Sequence, residues 1–333
     1  MKIIIENSTW NNVGDAFYQF PMYEIIKNTL TEHDVFMFDG PIYRAFKISS
    51  GNFFKKNALD IRKILEADIF VFSGPILGNN FIYHYAEVIK FIKDSGKNYM
   101  ILSSFGDSKS HKENVEFLMK YPPLAFSSRT KKTFDIYSKV AKHSYNGVCN
   151  AFFISKVIPT LNLNLKDYLI FNFYSTPEPI IDFNIKDNNI QLESIKIKEK
   201  KNYFNRVLRH LDFLRNHPIK LHNKKIIRTV HDISYKFLHL NFGRKNSYLS
   251  YNPLNYLPLY KNCELTISDR VHACVASLSF NKPAMLVGDW GERAELFQRL
   301  NIQKVNNVFL PTLEHQINQE YIEYVNWIKN VFK

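Results

Sequence analysis

The chain has 333 residues, of which 45% are hydrophobic and 23% are charged. At roughly 100–200 residues per domain, this length suits two domains, and the near-average composition excludes a disordered chain or a fibrous repeat. Lys and Arg number 44 against 31 Asp and Glu, a formal net charge of +13, which favours an anionic partner such as nucleic acid, anionic lipid or a phosphorylated substrate.

The first element is a short apolar run in Met1–Glu6 that ends at a charge, so it is predicted to be a strand rather than a signal peptide. No apolar run reaches the roughly 18–20 residues needed to cross a bilayer. Cys149, Cys263 and Cys274 are widely spaced and form no CxxC pair, which indicates neither disulfides nor a zinc site. We expect a cytoplasmic protein and leave open a peripheral contact with the inner face of the cell membrane.

The first half of the chain alternates short apolar strands with segments of helical period. The predicted strands are Ile3–Ile5, Val35–Phe38, Ile69–Phe72, Tyr99–Leu102 and Leu124–Phe126. Between them, apolar residues keep the spacing of helices that are buried on one face. This order is that of βαβ units and predicts a doubly wound parallel sheet.

Polar turns follow three of these strands. Asn12-Val13-Gly14-Asp15 comes after the first strand; its glycine permits a close backbone approach to a ligand, and its aspartate is a candidate helix cap. Ser73 and Gly74 follow the third strand. Arg129 follows the fifth strand at a helix start, where a cation is unfavourable unless an anion binds beside it. None of these turns is a GxGxxG, so no dinucleotide site is predicted, and simple capping or a surface position remains the alternative.

The second half repeats the pattern after Val157–Lys166, the predicted crossing between two domains. Its predicted strands are Tyr168–Phe173, Ile226–Val230, Leu265–Ile267 and Ala284–Val287. An amphipathic stripe predicts a helix over Tyr321–Phe332. We therefore expect an N-terminal domain over 1–160, a C-terminal domain over 161–320 and a terminal helix over 321–333.

A basic segment extends from Lys196 to Arg228, with eleven basic residues against two acidic ones. It therefore holds nine of the thirteen net positive charges. Helical spacing places its apolar residues on one face and Arg209 on the other, a pattern typical of a helix that lies on anionic headgroups. An ordinary solvated face remains the alternative.

The most informative segment is the predicted strand Leu265–Ile267, which turns through polar residues into an apolar helix. Such a strand end and the following helix N-terminus favour an anion. Arg270 adds a fork for phosphate or carboxylate, and His272 adds a side chain that exchanges protons near neutral pH. Both reach one site only if Arg270 lies in the turn. The alternative is a helix cap by Ser268 or Asp269 with a buried structural histidine.

Other motifs are weak or missing. His231 beside Asp232 is a candidate proton-handling pair, although neighbours in a strand point to opposite sides. The sequence holds no GxSxG, HExxH, Walker or DxD motif, so serine hydrolases, zincins, P-loop kinases and metal-dependent glycosyltransferases are not supported, and no metal is expected. Nucleic-acid binding is not favoured, because the aromatic residues lie in apolar elements rather than among the basic ones.

Taken together, these motifs resemble those of the polysaccharide pyruvyl transferase family. The matching segments are N-x-G-D at Asn12–Asp15, S-G-P at Ser73–Pro75, S-x-R at Ser127–Arg129 and S-x-R-x-H-A at Ser268–Ala273. They follow the family's order over nearly the whole chain. The resemblance implies a GT-B-like fold, with two Rossmann-like domains that face each other across a cleft and a C-terminal helix that returns to the first domain.

The resemblance also implies an activity: transfer of an enolpyruvyl unit from phosphoenolpyruvate to two hydroxyls of a sugar, which forms a pyruvate ketal on a capsule or exopolysaccharide. His272 would be the general acid and base, and Arg270 would stabilise the departing charge. Arg129, Arg270, Ser268 and His272 would bind the donor. No cofactor is implied. The residues expected on the acceptor side are Asn12, Gly14, Asp15, Ser73 and Gly74.

The expected acceptor is a lipid-linked oligosaccharide diphosphate. Lys200, Lys201 and Arg209 of the basic segment would contact its diphosphate or the membrane surface. Two alternatives remain open, because a fold does not fix a function. One is a GT-B glycosyltransferase that uses a nucleotide sugar in surface glycan synthesis, and the other is a catalytically silent scaffold.

Overall fold

The computed structural model of the chain describes residues 1–46, 66–106, 111–174, 177–186, 189–196, 216–233, 243–288, 291–302, 309–310 and 313–333. The strands, in chain order, are β1 (Lys2–Ile5), β2 (Asp34–Met37), β3 (Ile69–Ser73), β4 (Asn98–Ser104), β5 (Ala125–Ser128), β6 (His143–Asn146), β7 (Tyr168–Asn172), β8 (Ile180–Lys186), β9 (Asn189–Lys196), β10 (Lys220–Leu221), β11 (Lys224–Thr229), β12 (Ser247–Tyr248), β13 (Leu265–Ser268), β14 (Ala284–Leu286) and β15 (Phe309–Leu310). The α-helices are α1 (Val13–Thr29), α2 (Ile42–Phe46), α3 (Phe81–Asp94), α4 (His111–Lys120), α5 (Lys131–Tyr137), α6 (Ile154–Val157), α7 (Leu257–Asn262), α8 (Val271–Ser279) and α9 (Glu314–Val331). Stretches of 3-10 helix occur at Ser138–Val140, Asn150–Phe153, Pro253–Tyr256 and Gly291–Leu300.

The first sheet is parallel, with its strands in the order β2-β1-β3-β4-β5-β6. Its central strands are rich in Ile, Val, Phe, Met and Leu, and their side chains are almost fully buried. Continuous apolar runs of this kind are typical of strands that are covered on both faces.

The second sheet has the order β10-β11-β7-β13-β14-β15, and β12 also pairs with β11. Its central strands run parallel, whereas β10 and β15 at the two edges run antiparallel to their neighbours. The hairpin of β8 and β9 forms a separate two-stranded sheet.

Each large sheet reverses its strand order once, between β1 and β3 in the first sheet and between β7 and β13 in the second. In open α/β sheets, ligands bind at the carboxyl ends of the strands beside such a reversal. The two reversals therefore mark where a site is expected in each half of the chain.

The predicted fold class is confirmed, since both halves form doubly wound, Rossmann-like sheets. Each predicted strand appears within two residues of its predicted ends. Several elements were not predicted: the polar edge strand β6, the β8–β9 hairpin and the two-residue edge strands. Short or polar edge strands lack the buried apolar run on which the prediction relied.

The two halves meet at the carboxyl edges of their sheets. Asn12 forms a β-bridge with Asp232, and the backbone amide of Val13 donates to the His231 carbonyl at 2.8 Å. The Ile233 amide donates in turn to the Asn11 carbonyl at 2.8 Å. One buried apolar cluster includes side chains of α1, α8 and both sheets. The junction is therefore a packed interface and not an open gap along its whole length.

Helix α9 follows the second sheet but packs against the first. The ring of Trp327 stacks on Tyr145 of β6 at 5.4 Å, and Tyr324 stacks on Phe153 at 5.8 Å. Glu320 is joined to Arg299 by an ion pair of 2.6 Å. Among the helices of the described residues, none is both long and apolar enough to cross a membrane.

A buried carboxyl group, Glu6, connects three elements of the first domain. It follows β1, and its two oxygens accept hydrogen bonds from the Ile42 amide at the start of α2, at 2.9 Å, and from the Tyr85 hydroxyl of α3, at 3.0 Å. Glu6 is 3% exposed. Burial raises its pKa from the ordinary 4.5 to about 7, against the lowering effect of these hydrogen bonds.

This raised pKa predicts a pH-dependent stability. The stabilising effect of neutral Glu6 is complete below pH 4.5, where the unfolded chain is also protonated, and is lost as the pH rises through 7. The loss amounts to about 3 kcal/mol. Glu6→Gln removes this dependence, so urea unfolding midpoints at pH 4.5 and 8 should differ less than those of the wild type.

Glu87 offers a matched control, because its carboxyl group is exposed on the same helix as Tyr85. Glu87→Gln should keep the wild-type pH dependence. Equal pH dependence of the wild type and Glu6→Gln would show that Glu6 is not the group responsible.

Candidate active site at the domain junction

The turn between β13 and α8 holds Arg270 outside the helix. Arg270 is the N-cap residue with extended backbone, φ −114° and ψ 119°. The Ser268 hydroxyl donates to the Asn172 carbonyl at 2.9 Å and accepts from the Arg270 amide at 2.8 Å. The Asp269 carboxylate accepts from the Tyr174 amide at 3.0 Å. The side chain of Arg270, the N-cap residue, makes no cap hydrogen bond to α8, and the backbone amides at a helix N-terminus favour an anion.

The guanidinium of Arg270 is incompletely paired. It lies over the Tyr174 ring at 4.1 Å, and its Nη2 is 3.9 Å from Asp232 Oδ2. Its Nε and Nη2 atoms are buried and have no hydrogen-bond partner among the described residues. A buried donor without a partner is costly, and a bound anion would supply the missing acceptors.

His272 projects from the first turn of α8 against the first domain. Its Nε2 is 3.7 Å from the Cys149 thiol, and its ring lies 5.3 Å from that of Tyr18. Gly14 at the start of α1 allows this contact, because a Cβ atom there would come within 2.9 Å of His272 Nδ1. The glycine of the polar turn therefore serves a close approach between the domains.

Arg129 reaches the same point from the first domain. It is 6% exposed, and its guanidinium lies between the rings of Tyr18 at 5.7 Å and Phe105 at 5.6 Å. Its Nη1 is 3.9 Å from the Cys149 thiol, which also contacts His272. Arg129 and His272 thus share a neighbour, although their sequence positions lie in different domains.

Arg293, which the sequence analysis missed, completes the group of cations. It comes from the 3-10 segment Gly291–Leu300 after β14 and stands at the exposed rim. Partial burial and the charges of Arg129 and Arg270 lower its pKa, whereas Asp15 raises it. Its position in the chain was a usable signal of a site residue, because Arg293 comes after the parallel strand β14 just as Arg129 follows β5 and Arg270 follows β13.

Burial and the neighbouring arginines together set the charge of His272. Removal from water, together with Arg129, Arg270 and Arg293, lowers the pKa of His272 to about 3. The histidine is therefore neutral at physiological pH in the protein without ligand. The three arginines outnumber the neighbouring Asp15 and Asp232, and this positive surplus favours an anionic ligand.

Asp15 and Tyr18 form the acidic side of the same cluster. Burial raises the pKa of Asp15 to about 6, although Arg129, the Tyr18 hydroxyl and Arg270 act in the opposite direction. Asn12, not Asp15, caps α1: its side chain accepts from the Gly14 amide at 3.3 Å. The predicted capping role of Asp15 is therefore wrong, and its carboxyl group belongs to the site.

Ser73 and Gly74 contact α1, the helix that carries Asp15 and Tyr18. Gly74 has a φ of +84°, and a side chain there would collide with the Tyr18 hydroxyl. The Ser73 hydroxyl accepts from the amide of Gln19 at 3.4 Å. Both residues thus support α1 beside the cluster.

The remaining candidates lie elsewhere. His231 bonds to the Tyr260 hydroxyl at 2.6 Å whereas Asp232 faces Arg270, so the two do not act as a pair. Lys200, Lys201 and Arg209 lie outside the described residues. Arg228, at the end of the basic segment, is 1% exposed and bonded to Glu178, which removes it from any partner surface.

An ion pair closes the junction at its rim. Lys132 of α5 contacts Glu292, the residue before Arg293. Both side chains are partly exposed, at 42% and 33%, so the pair is screened by salt and adds little stability. In the described part of the chain, no group of three or more His, Cys, Asp or Glu side chains is placed to hold a metal ion.

The polysaccharide pyruvyl transferase family matches residues 12–289. No curated protein matches the chain in sequence.

Among solved structures, the chain is similar to S. aureus MnaA with UDP, at 11% identity and a TM-score of 0.52, over 99% of this chain and 90% of that one. It is also similar to a putative UDP-N-acetylglucosamine 2-epimerase from Listeria monocytogenes, at 8% identity and a TM-score of 0.50. This match covers 99% of the present chain and 90% of the epimerase chain. At such identities the likeness concerns the fold alone, which is the GT-B arrangement of two Rossmann-like domains.

The contact between Gly14 and His272 can be tested by adding a methyl group. Gly→Ala inside a helix ordinarily stabilises by about 0.5–1 kcal/mol. In Gly14→Ala the new Cβ would meet His272, so we expect destabilisation of about 1–3 kcal/mol. Urea unfolding measures the stability, and the imidazole NMR signal of His272 should shift.

Gly40→Ala is the control, because among the residues that the structure describes a Cβ there would meet only Thr9 Cγ2, at 3.7 Å. It should change stability by less than about 0.5 kcal/mol. If Gly14→Ala were as stable as Gly40→Ala, the close packing of α1 on His272 would be disproved.

Proposed function

The chain belongs to the polysaccharide pyruvyl transferase family, and we propose that it transfers an enolpyruvyl unit from phosphoenolpyruvate to two hydroxyls of one sugar, forming a pyruvate ketal. The sugar is part of a capsule or exopolysaccharide or of its lipid-linked precursor. The observation that best supports this proposal is the cluster of Arg129, Arg270 and Arg293 beside His272. Phosphoenolpyruvate is the donor substrate, and no cofactor takes part.

The donor fits the cluster by charge and shape. Phosphoenolpyruvate carries a phosphate and a carboxylate on the same carbon atom. Arg270 offers its two unpaired nitrogens as a fork, and the N-terminus of α8 adds backbone donors. Arg129 holds the second anionic group from the opposite domain, while Ser268 fixes the turn that presents Arg270.

Binding of phosphoenolpyruvate also changes the protonation of His272, the general acid. Without ligand, the pKa of His272 is lowered to about 3 by burial and by the three arginines. The negative charges of the donor offset the arginine charges, which raises the pKa of His272. The imidazole therefore gains its proton in the complex, where the reaction uses it.

The chemistry follows from this protonation. His272 donates a proton to the methylene carbon of phosphoenolpyruvate, which leaves an oxocarbenium ion at the neighbouring carbon. One sugar hydroxyl adds there and returns its proton to His272. The second hydroxyl then displaces phosphate, which leaves with that hydroxyl's proton. Arg270 stabilises the departing phosphate.

The acceptor lies on the side of the first domain. Asp15, whose pKa is raised to about 6 by burial, accepts a hydrogen bond from an attacking hydroxyl once it is ionised. Asn12, Gly14, Ser73 and Gly74 shape the backbone beside it. The acceptor is a lipid-linked oligosaccharide diphosphate that reaches the site from the membrane surface.

The basic segment predicts a peripheral membrane contact. Replacing Lys200, Lys201 and Arg209 together by glutamate reverses three charges of the basic segment. We expect weaker sedimentation with vesicles of mixed anionic and neutral lipid, because each basic residue near the surface contributes about 1 kcal/mol. Unchanged sedimentation would refute this role and favour an ordinary solvated face.

The donor can be tested by thermal stabilisation. Millimolar phosphoenolpyruvate should raise the melting temperature of the wild type, because a ligand that binds only the folded state stabilises it. Arg270→Ala should lose this response. Lys131→Ala should keep it, since Lys131 is an exposed cation paired with Asp135 outside the cluster. A response to UDP-sugars and none to phosphoenolpyruvate would support a glycosyltransferase instead.

His272→Gln separates binding from chemistry. The variant should keep the thermal response to phosphoenolpyruvate, because the arginines are intact, and should release phosphate at least about 100-fold more slowly in the presence of acceptor. Phosphate release by the wild type that is equal to that of the variant would contradict the role of His272. No release by either would support the silent scaffold.

A further inference from the structure

The loop Asn7–Asn12, between β1 and α1, differs in chemistry from the cationic cluster beside it. Its sequence is Asn-Ser-Thr-Trp-Asn-Asn. These side chains offer amide and hydroxyl groups and one large aromatic ring, but no charge. The loop follows β1 at the reversal of strand order in the first sheet, where ligands of open α/β sheets bind.

Trp10 is held firmly within this loop. Its Nε1 donates to Gln19 Oε1 at 2.8 Å, and its ring packs on Phe20 at 4.9 Å. Gln19 is 1% exposed, and the same oxygen also accepts from the amide and hydroxyl of Ser8 at 3.2 Å. The indole therefore has its polar group satisfied and packs on Phe20, and Trp10 as a residue is half-buried.

The backbone of the loop is unusual at the same point. Thr9 and Trp10 both have positive φ, 72° and 53°, which is rare for residues other than glycine and especially for a β-branched one. Such conformations persist where surrounding contacts impose them, and they cluster at ligand sites.

Two series of contacts lead from the loop toward the donor cluster. On one side, the Asn11 carbonyl accepts from the Ile233 amide at 2.8 Å, next to Asp232, which lies 3.9 Å from Arg270. On the other side, Gln19 donates to the Ser73 hydroxyl at 3.4 Å, next to the turn that supports Tyr18. The loop thus lies at the same domain junction as the donor cluster.

We propose that the loop Asn7–Asn12 is the binding site of the acceptor sugar, with Trp10 as the platform for a neutral hexopyranose ring. The C–H face of such a ring is apolar and packs on an indole, and its hydroxyls suit the amides and hydroxyls of the loop. The inference rests on the proposed function, which requires a sugar beside the donor.

A variant with Trp10 as its sole tryptophan gives a direct test. The chain has three tryptophans, so Trp290→Phe with Trp327→Phe isolates its fluorescence. We would measure acrylamide quenching with methyl glycosides of glucose, galactose, mannose and N-acetylglucosamine, with and without phosphoenolpyruvate. At least one sugar should protect Trp10 from quenching. Protection by none of the four would overturn the proposal.

Substitutions of Trp10 test the platform itself. In Trp10→Ala, the sugar concentration for half-maximal thermal stabilisation should rise about tenfold, whereas Trp10→Phe should retain most of the affinity. Tyr83→Ala removes an aromatic ring that is 72% exposed on α3 and should change nothing. Unaltered sugar affinity in Trp10→Ala would refute the platform.

The same measurements separate this inference from the proposed function. A thermal response to phosphoenolpyruvate without sugar protection would refute the sugar loop alone. Sugar protection without any response to phosphoenolpyruvate would keep the loop and refute pyruvyl transfer. Both Trp10 variants should keep the wild-type response to phosphoenolpyruvate, which also shows that they are folded.

Discussion

The effect of three guanidinium charges on one buried imidazole is the constraint on which the junction depends. Arg129 comes from one domain, whereas Arg270 and Arg293 come from the other, and all of them disfavour the charged form of His272. Like charges on opposite sides of the junction repel each other, so other contacts must hold the domains together. The domains are held together by the backbone hydrogen bond at Val13 and by apolar packing between α1 and α8. Salt screening weakens neither of these interactions.

Different elements of the fold supply the charged groups and the contact surface between the domains. Strand ends supply the charged side chains, since each arginine follows the carboxyl end of a parallel strand. Helix α1 supplies the contact surface: Gly14 makes room for His272, and Tyr18 lies against both His272 and Arg129. A single helix thus sets the distance between groups that the chain carries more than a hundred residues apart.

Much of this arrangement could be predicted from the sequence, and the reasons for the misses are physical. Apolar strands and the polar turns after them are local patterns, so Arg270 and His272 were found. Arg293 lies seven residues beyond the end of β14, in a 3-10 segment rather than in the turn directly after the strand, and Tyr18 has the ordinary appearance of a buried helix residue. Asp15 was assigned to the wrong role because a first-turn carboxylate and a cap look alike until Asn12 is seen to take the bond.

The position of α9 has a consequence for the order in which the protein is made. This helix covers Tyr145 and Phe153 of the first domain, yet the ribosome delivers it only after the entire second sheet. Domains generally fold as they emerge, N-terminal part first. The aromatic surface of the first domain therefore stays uncovered while the second domain is translated. Helix α9 covers it only after the last part of the chain has emerged.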